Sequence, residues 1–225
     1  MLILAMDQST ACGSLALLQD DQPLGEVTWM DDRRHSQQLF ERLTELLGQT
    51  SIGLSRVDCL AVGLGPGSYT GLRIAVSAVL GLAMPDQRRV YGVSSAEALA
   101  GDVLAGTGAA SAMVIGDARR QQLWARVFSL REGRCTATTP WLLSPPAKLA
   151  DLQASIWVTP DWERIGPLLQ ARVSPACRLI EERRLPSALA VGRAAWRRIG
   201  ANIPSEPLAP IYLHAAVGLP RRTDS

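Results

Sequence analysis

The sequence predicts an α/β protein of two lobes built on one duplicated plan, and three observations carry that prediction. A three-strand meander with an acidic residue in its first bend opens the chain, and helices and strands then alternate, giving the order β-β-β-α-β-α-β-α. The same opening returns 110 residues later when Asp117 is placed on Asp7. With 225 residues, 47% of them hydrophobic and 20% charged, the chain can bury a core of that size. The expected division is a first lobe over 1–103 and a second over 104–225.

In the first lobe, Leu2 to Met6 is a short apolar run ending in Asp7-Gln8-Ser9-Thr10. Gly13 to Leu18 and Glu26 to Met30 read as the second and third strands, separated by the turn Gln19-Asp20-Asp21-Gln22-Pro23. His35 to Gly48 is a helix with Leu39, Leu43, Leu46 and Leu47 on one face and Gln37, Gln38, Glu41, Arg42 and Glu45 away from it. A strand from Val57 to Leu64 then enters the glycine-rich loop Gly65-Pro66-Gly67-Ser68-Tyr69-Thr70-Gly71. A helix follows from Ser68 or Tyr69 to Met84, with Ser68 and Thr70 as cap candidates and Pro85 as its stop. Val90 to Val93 and a helix from Ser94 or Ser95 to about Leu104 complete the lobe.

The central helix is unusual because Ile74 to Met84 carries no charge on any face. An apolar helix without a polar stripe must be covered on both sides. One side is its own sheet. The other carries Gly71, Ala75, Ala78 and Leu82 at helical spacing, which suits the close approach of another helix. Two arrangements satisfy this pattern, a helix enclosed by its own chain and a subunit interface. If the face is an interface, Ala78→Glu or Ala75→Arg should abolish pairing and leave the fold intact. The run is too short to span a membrane, which needs roughly 20 apolar residues.

The second lobe repeats the meander as Ala112 to Ile115, the bend Gly116-Asp117-Ala118-Arg119-Arg120, a strand over Gln122 to Leu130, and a return over Cys135 to Trp141. Ser144-Pro145-Pro146 opens a short helix at Ala147 to Gln153, Ser155 to Thr159 is strand-like, and Pro186-Ser187 opens a helix to Ile199. Pro204 to Pro210 reads as a spacer, Ile211 to His214 as an anchor, and Arg221 to Ser225 as a frayed tail. Net charge is −5 over 1–103 and +7 over 104–225. The densest basic stretch is Arg193, Arg197 and Arg198, with Arg183 and Arg184 just ahead, either an RNA-facing patch or solvated surface.

Four scattered cysteines without a Cys-x-x-Cys pair suggest reduced thiols, and no basic segment precedes the first strand, so a cytoplasmic location is expected. At the two bends, Asp7, Ser9, Thr10 and Asp117 are candidate nucleotide or phosphate residues, where free N–H groups could meet an anion and Asp7 could orient a water. The same residues are ordinary turn formers. A stand-alone ATPase or small phosphotransferase using Asp7 and Asp117 is therefore one reading, although the sole lysine, Lys148, lies far from either bend in sequence.

This duplicated plan is that of the actin, sugar-kinase and Hsp70 superfamily, a ribonuclease H-like fold. Within it, the sequence resembles the bacterial TsaB (YeaZ) family through Asp7-Gln8-Ser9-Thr10, His35-Ser36-Gln37-Gln38-Leu39, Gly65 to Ile74, Gly92-Val93-Ser94-Ser95 and Asp117-Ala118-Arg119. The resemblance covers about the first 125 residues. It implies a non-catalytic scaffold or activator role in forming threonylcarbamoyladenosine (t6A) at tRNA position 37, in partnership with a TsaD-like catalytic subunit and a TsaE-like ATPase. Partner contacts would fall on His35, Leu39, Gly71, Ala75, Ala78, Val79 and Leu82. Alone, the chain would form a homodimer through the same face. Transfer RNA would be met through the complex, with Arg193, Arg197 and Arg198 as candidate contacts. No cofactor is expected to be held firmly, and ATP or ADP is left open at the partner interface.

The residues also speak against catalysis by this chain alone. TsaD-like enzymes hold a metal with a His-x-x-x-His pair, whereas the two histidines here, His35 and His214, are far apart, so no such metal site is expected. No His-Glu-x-x-His or Gly-x-Ser-x-Gly protease motif is present. In the second lobe, Thr159-Pro160-Asp161-Trp162 stands where a Gly-x-Gly nucleotide turn would be expected; proline offers no N–H there.

Overall fold

All elements expected in the first lobe form, in the expected order. The structure, a computed structural model, describes residues 1–30 and 35–214; the side chain of His35 and the tail Arg221–Ser225 lie outside the described part. The first lobe comprises β1 (Leu2–Asp7), β2 (Cys12–Gln19), β3 (Gln22–Met30), α1 (His35–Thr50), β4 (Cys59–Gly63), α2 (Tyr69–Ala83), β5 (Arg89–Val93) and α3 (Ser95–Thr107). The second comprises β6 (Ser111–Arg119), β7 (Gln122–Arg131), β8 (Arg134–Ala137), β9 (Leu142–Ser144), β10 (Ile156–Val158), α4 (Trp162–Gln170), β11 (Arg178–Leu179) and α5 (Ala188–Gly200). None of the described helices is long and apolar enough to cross a membrane.

The duplication is visible strand by strand. The first sheet runs β3-β2-β1-β4-β5, antiparallel through the meander and parallel from β1 to β5. The second, read from β8, runs β8-β7-β6-β10-β11 with the same sequence of strand senses, and β9 adds to β7. The repeat is thinner in its helices. The expected strand over Cys135 to Trp141 ends at Ala137, and the expected helix over Ala147 to Gln153 is a 3-10 turn at Pro146–Asp151. α4 is the additional helix, with Gly166 and Pro167 inside it.

Side-chain hydroxyls cap three helices. Ser68 Oγ accepts from Gly71 N at 3.2 Å, Ser94 Oγ from Glu97 N at 3.4 Å and Ser187 Oγ from Ala190 N at 3.1 Å. The layers then follow from which faces are apolar. α1 and α2 cover one face of the first sheet, forming a core of Leu4, Met6, Leu15, Leu17, Leu60 and Val62 with Leu39, Leu43, Ala75 and Val79. α5 covers the other face, packing Ala188, Val191 and Ala195 on Ile3, Ala5, Leu18 and Ala61. α3 lies against α5 and against β6, β7 and β8, so the last helix of each half packs on the opposite half's sheet. α4 covers the outer face of the second sheet with Ile165 and Leu169.

On its small-residue face the central helix is enclosed by its own chain, one of the two arrangements that the sequence allows. Ala75 is 0% exposed, Ala78 8% and Val79 0%, and all three belong to the core shared with Leu39, Leu43 and Leu46 of α1. Gly71 abuts the first bend, where a Cβ would lie 2.2 Å from Gln8 O, and Leu82 is half-buried against the same core. The small-residue stripe therefore serves packing within the chain. The solvent face of α2 is the opposite one, Thr70, Arg73, Ser77, Leu80 and Gly81, continued by Met84 just past its end, and only Arg73 there carries charge.

Candidate functional site

The motifs that stand out in the sequence meet in one hydrogen-bonded knot at the end of β1. Asp7 is fully buried, and its Oδ1 accepts from Ser9 N at 2.8 Å and Ser9 Oγ at 2.6 Å. Its Oδ2 accepts from Ser95 Oγ at 2.5 Å. Ser95 Oγ in turn accepts from Gly65 N at 2.9 Å, and Ser94 Oγ donates to Gly65 O at 3.1 Å. Ser68 N donates to Ser9 O at 2.7 Å. The loop can come this close only without side chains: a Cβ at Gly67 would sit 2.0 Å from Ser9 O, and one at Gly63 would sit 1.8 Å from Asp7 Oδ2. The glycine string thus secures the β1 bend to the starts of α2 and α3.

This knot alters the roles expected of the phosphate candidates. Asp7 lies beneath the surface and is not among the residues that line the cleft, whereas Asp117 is. Burial raises its pKa, and the hydrogen bonds from Ser9 and Ser95 oppose that rise. Ser9 is committed to Asp7, and Thr10 Oγ1 bonds Cys12 O and Cys12 N at 3.1 Å each. Asp117 is held by Arg119 N at 2.7 Å and lies 3.4 Å from Arg164, while its own N–H donates to Asp161 at 2.9 Å. The second-lobe bend at Thr159-Pro160-Asp161 closes on itself, with Asp161 N donating to Thr159 Oγ1 at 3.0 Å.

A cleft of about 1060 Å³ lies between the two bends, with Ser9, Thr10 and Gly67 on one wall and Asp117, Trp124 and Arg164 on the other. At its mouth Tyr69 stacks on Tyr212 with ring centroids 5.2 Å apart, and the Arg73 guanidinium lies 5.2 Å from the Tyr69 centroid. His214 bonds Ala118 O at 2.6 Å, and Ile211 N donates to Leu64 O at 2.8 Å, so the expected anchor ties the two lobes together. Among the described residues, no three His, Cys, Asp or Glu side chains converge as a metal site.

The basic stretch of α5 turns partly into the fold. Arg198 is not a surface contact: it is 16% exposed and lies 3.5 Å from Glu97 and 2.9 Å from Glu206. Arg193 Nε donates to Asp21 O at 3.2 Å, and Arg193, Arg197 and Arg198 all line a recess between α3 and α5. Sequence reasoning missed the exposed apolar residues beside the central helix. Phe40 is 49% exposed, Tyr69 59%, Leu80 41% and Met84 75%. For Leu80 and Met84 the signal was the uncharged run Ile74 to Met84; Phe40 of α1 had none.

Comparison with known proteins adds the lineage. A family model described as "TsaD: tRNA N6-adenosine threonylcarbamoyltransferase" matches residues 25–154. The tRNA threonylcarbamoyladenosine biosynthesis protein TsaB of Haemophilus influenzae is 37% identical over 101 residues, 44% of this chain and 41% of that protein. Its Escherichia coli namesake is 32% identical over 124 residues, 55% of this chain and 53% of that protein. The matched stretch thus spans about half the length of these curated relatives. The solved structure of YeaZ from Pseudomonas aeruginosa superposes with a TM-score of 0.80 at 28% identity, covering 94% of this chain and 99% of that one. A Listeria monocytogenes protein described as a putative N-acetylmannosamine kinase shares the fold at 9% identity, with a TM-score of 0.50 and coverage of 90% and 100%. The matched family model and the YeaZ superposition agree with the motif string, and the chain belongs to the TsaB/YeaZ family.

Proposed function

We propose that this chain is a non-catalytic scaffold subunit for t6A formation at tRNA position 37, holding a TsaD-like catalytic partner, with a TsaE-like ATPase joining the pair, in the cytoplasm. The observation that carries the reading is the solvent face of α2, on which Arg73 is the one charge. Leu80 and Met84 are exposed there, in a helix fixed at its base by the knot around Asp7. An apolar helical face on a rigid support favours burial against a second apolar face, at about 25 cal/mol per Å² before ordering costs. In isolation the same face pairs two copies of the chain. Arg73 and Ser77 supply a polar rim beside it.

Family membership and the names carried by the relatives support the pathway. Support for a non-catalytic role comes from Asp7, whose carboxylate is occupied by Ser9 and Ser95, and from the lack of a His-x-x-x-His pair in the sequence. We place any ATP or ADP of the assembly at the partner interface, because the hydroxyls of Ser9 and Thr10 already bond their own chain. The test is reconstitution from purified components. The chain alone should form no t6A and hydrolyse no ATP, and its addition to a TsaD-like partner should restore modification. ATP hydrolysis by the chain alone that is lost in Asp7→Ala would instead establish the phosphotransferase reading.

A further inference from the structure

A second recess, of about 240 Å³, shares no lining residue with the cleft. Five arginines line it: Arg126 of β7, Arg134 of β8, and Arg193, Arg197 and Arg198 of α5. Three carboxylates, Glu97, Asp102 and Glu206, share the lining, so arginines outnumber carboxylates in it, while Glu132 outside it lies 3.4 Å from Arg134 and Glu26 acts on Arg193. Glu97 and Glu206 both pair with Arg198 and also favour the charge of Arg126, yet Arg198 Nη1 remains buried without an acceptor. A buried N–H without a partner is costly, and a ligand oxygen nearby would remove the cost.

The remaining arginines are held in a way that leaves their forks available. Arg126 is fixed through Nε, which donates to Thr139 O at 3.0 Å, and its guanidinium lies 4.8 Å from the Trp141 ring centroid. Arg193 is fixed through Nε on Asp21 O. In both, the terminal nitrogens have no hydrogen-bond acceptor among the described residues, and Arg197 makes no hydrogen bond or ion pair there. Guanidinium forks anchored at Nε present paired N–H groups that match the oxygens of a phosphate. The volume lies below the roughly 300–1,000 Å³ of sites that hold drug-sized ligands, which excludes a whole nucleotide.

We propose that this recess binds a small phosphate-class oxyanion, inorganic phosphate or pyrophosphate, through Arg126, Arg193 and Arg197. The inference stands apart from the scaffold reading and uses none of its surface. Burial lowers the pKa of Arg126, and a bound anion would relieve that penalty.

The test is thermal unfolding of the full chain with pyrophosphate or phosphate, at ionic strength held constant with potassium chloride. A saturable rise in Tm is expected, and Arg197→Gln should raise the half-saturating concentration by about tenfold or more, the weight of a charge-assisted fork. Arg183→Gln, on the cleft side, should leave it unchanged. Should Arg197→Gln itself unfold the protein, Arg193→Gln is read instead by the broadening of the pyrophosphate phosphorus resonance, which it should abolish; broadening kept at the wild-type level overturns the proposal. A rise matched by potassium chloride alone, or one lost in Arg183→Gln and kept in Arg197→Gln, overturns the proposal. So does ADP binding as tightly through Arg197, which would make the phosphate part of a nucleotide. Loss of tRNA binding in Arg197→Gln without any pyrophosphate effect would overturn it in favour of an RNA backbone contact.

Discussion

Asp7 keeps a carboxylate where water does not reach, and three donors from Ser9 and Ser95 make that tolerable. Removing the carboxylate leaves those donors buried and unpaired, so Asp7→Ala should lower stability by about 2–4 kcal/mol in urea unfolding. Glu97 is the other buried acid that matters. Burial pushes its pKa up to about 7 from 4.5, and the Arg198 guanidinium pulls it back only in part. Between those values the folded chain retains a proton that the unfolded chain has released. Stability should therefore fall as pH rises from about 4.5 to about 7, by about 3 kcal/mol, and level off above. Glu97→Gln should flatten that slope in unfolding midpoints measured across the range. Neither residue's environment was legible in the sequence. The turn Asp-x-Ser is common, and only the fold brings Ser95 to Asp7 across 88 positions.

At the scale of elements, α2 shows what periodicity can and cannot say. Spacing correctly grouped Gly71, Ala75, Ala78 and Leu82 on one face, and the lack of charge correctly marked a helix with an unusual second face. It could not say which face the rest of the chain takes, because that depends on where α1 crosses. Ala78 lies in the core, so Ala78→Glu buries a charge and should unfold the protein rather than merely unpair it. Leu80→Glu places the same charge at the exposed face and should leave the unfolding midpoint within about 0.5 kcal/mol of wild type. α4 was missed for a local reason. Gly166-Pro167 reads as a break, yet Ile165 and Leu169 one turn apart bury against the second sheet and outweigh it.

Across the whole molecule, the repeated meander was readable because each copy is local, and the two sheets do run in matching order. The exchange of last helices was not readable, since α5 meets β1 and β2 over a long sequence separation that no local pattern encodes. Its consequence is that the halves stabilise each other. A fragment of residues 1–107 leaves Ile3, Ala5, Leu18 and Ala61 without the cover of α5, and should lack a cooperative unfolding transition followed by circular dichroism.

The scaffold role rests on the solvent face of α2, and one binding measurement addresses it. Purified chain carrying both Leu80→Glu and Met84→Glu is mixed with a TsaD-like partner and the complex is quantified by size-exclusion chromatography with light scattering. The expected result is wild-type stability with the complex lost. A complex formed at wild-type yield by this folded double variant would place the partner elsewhere and contradict the account.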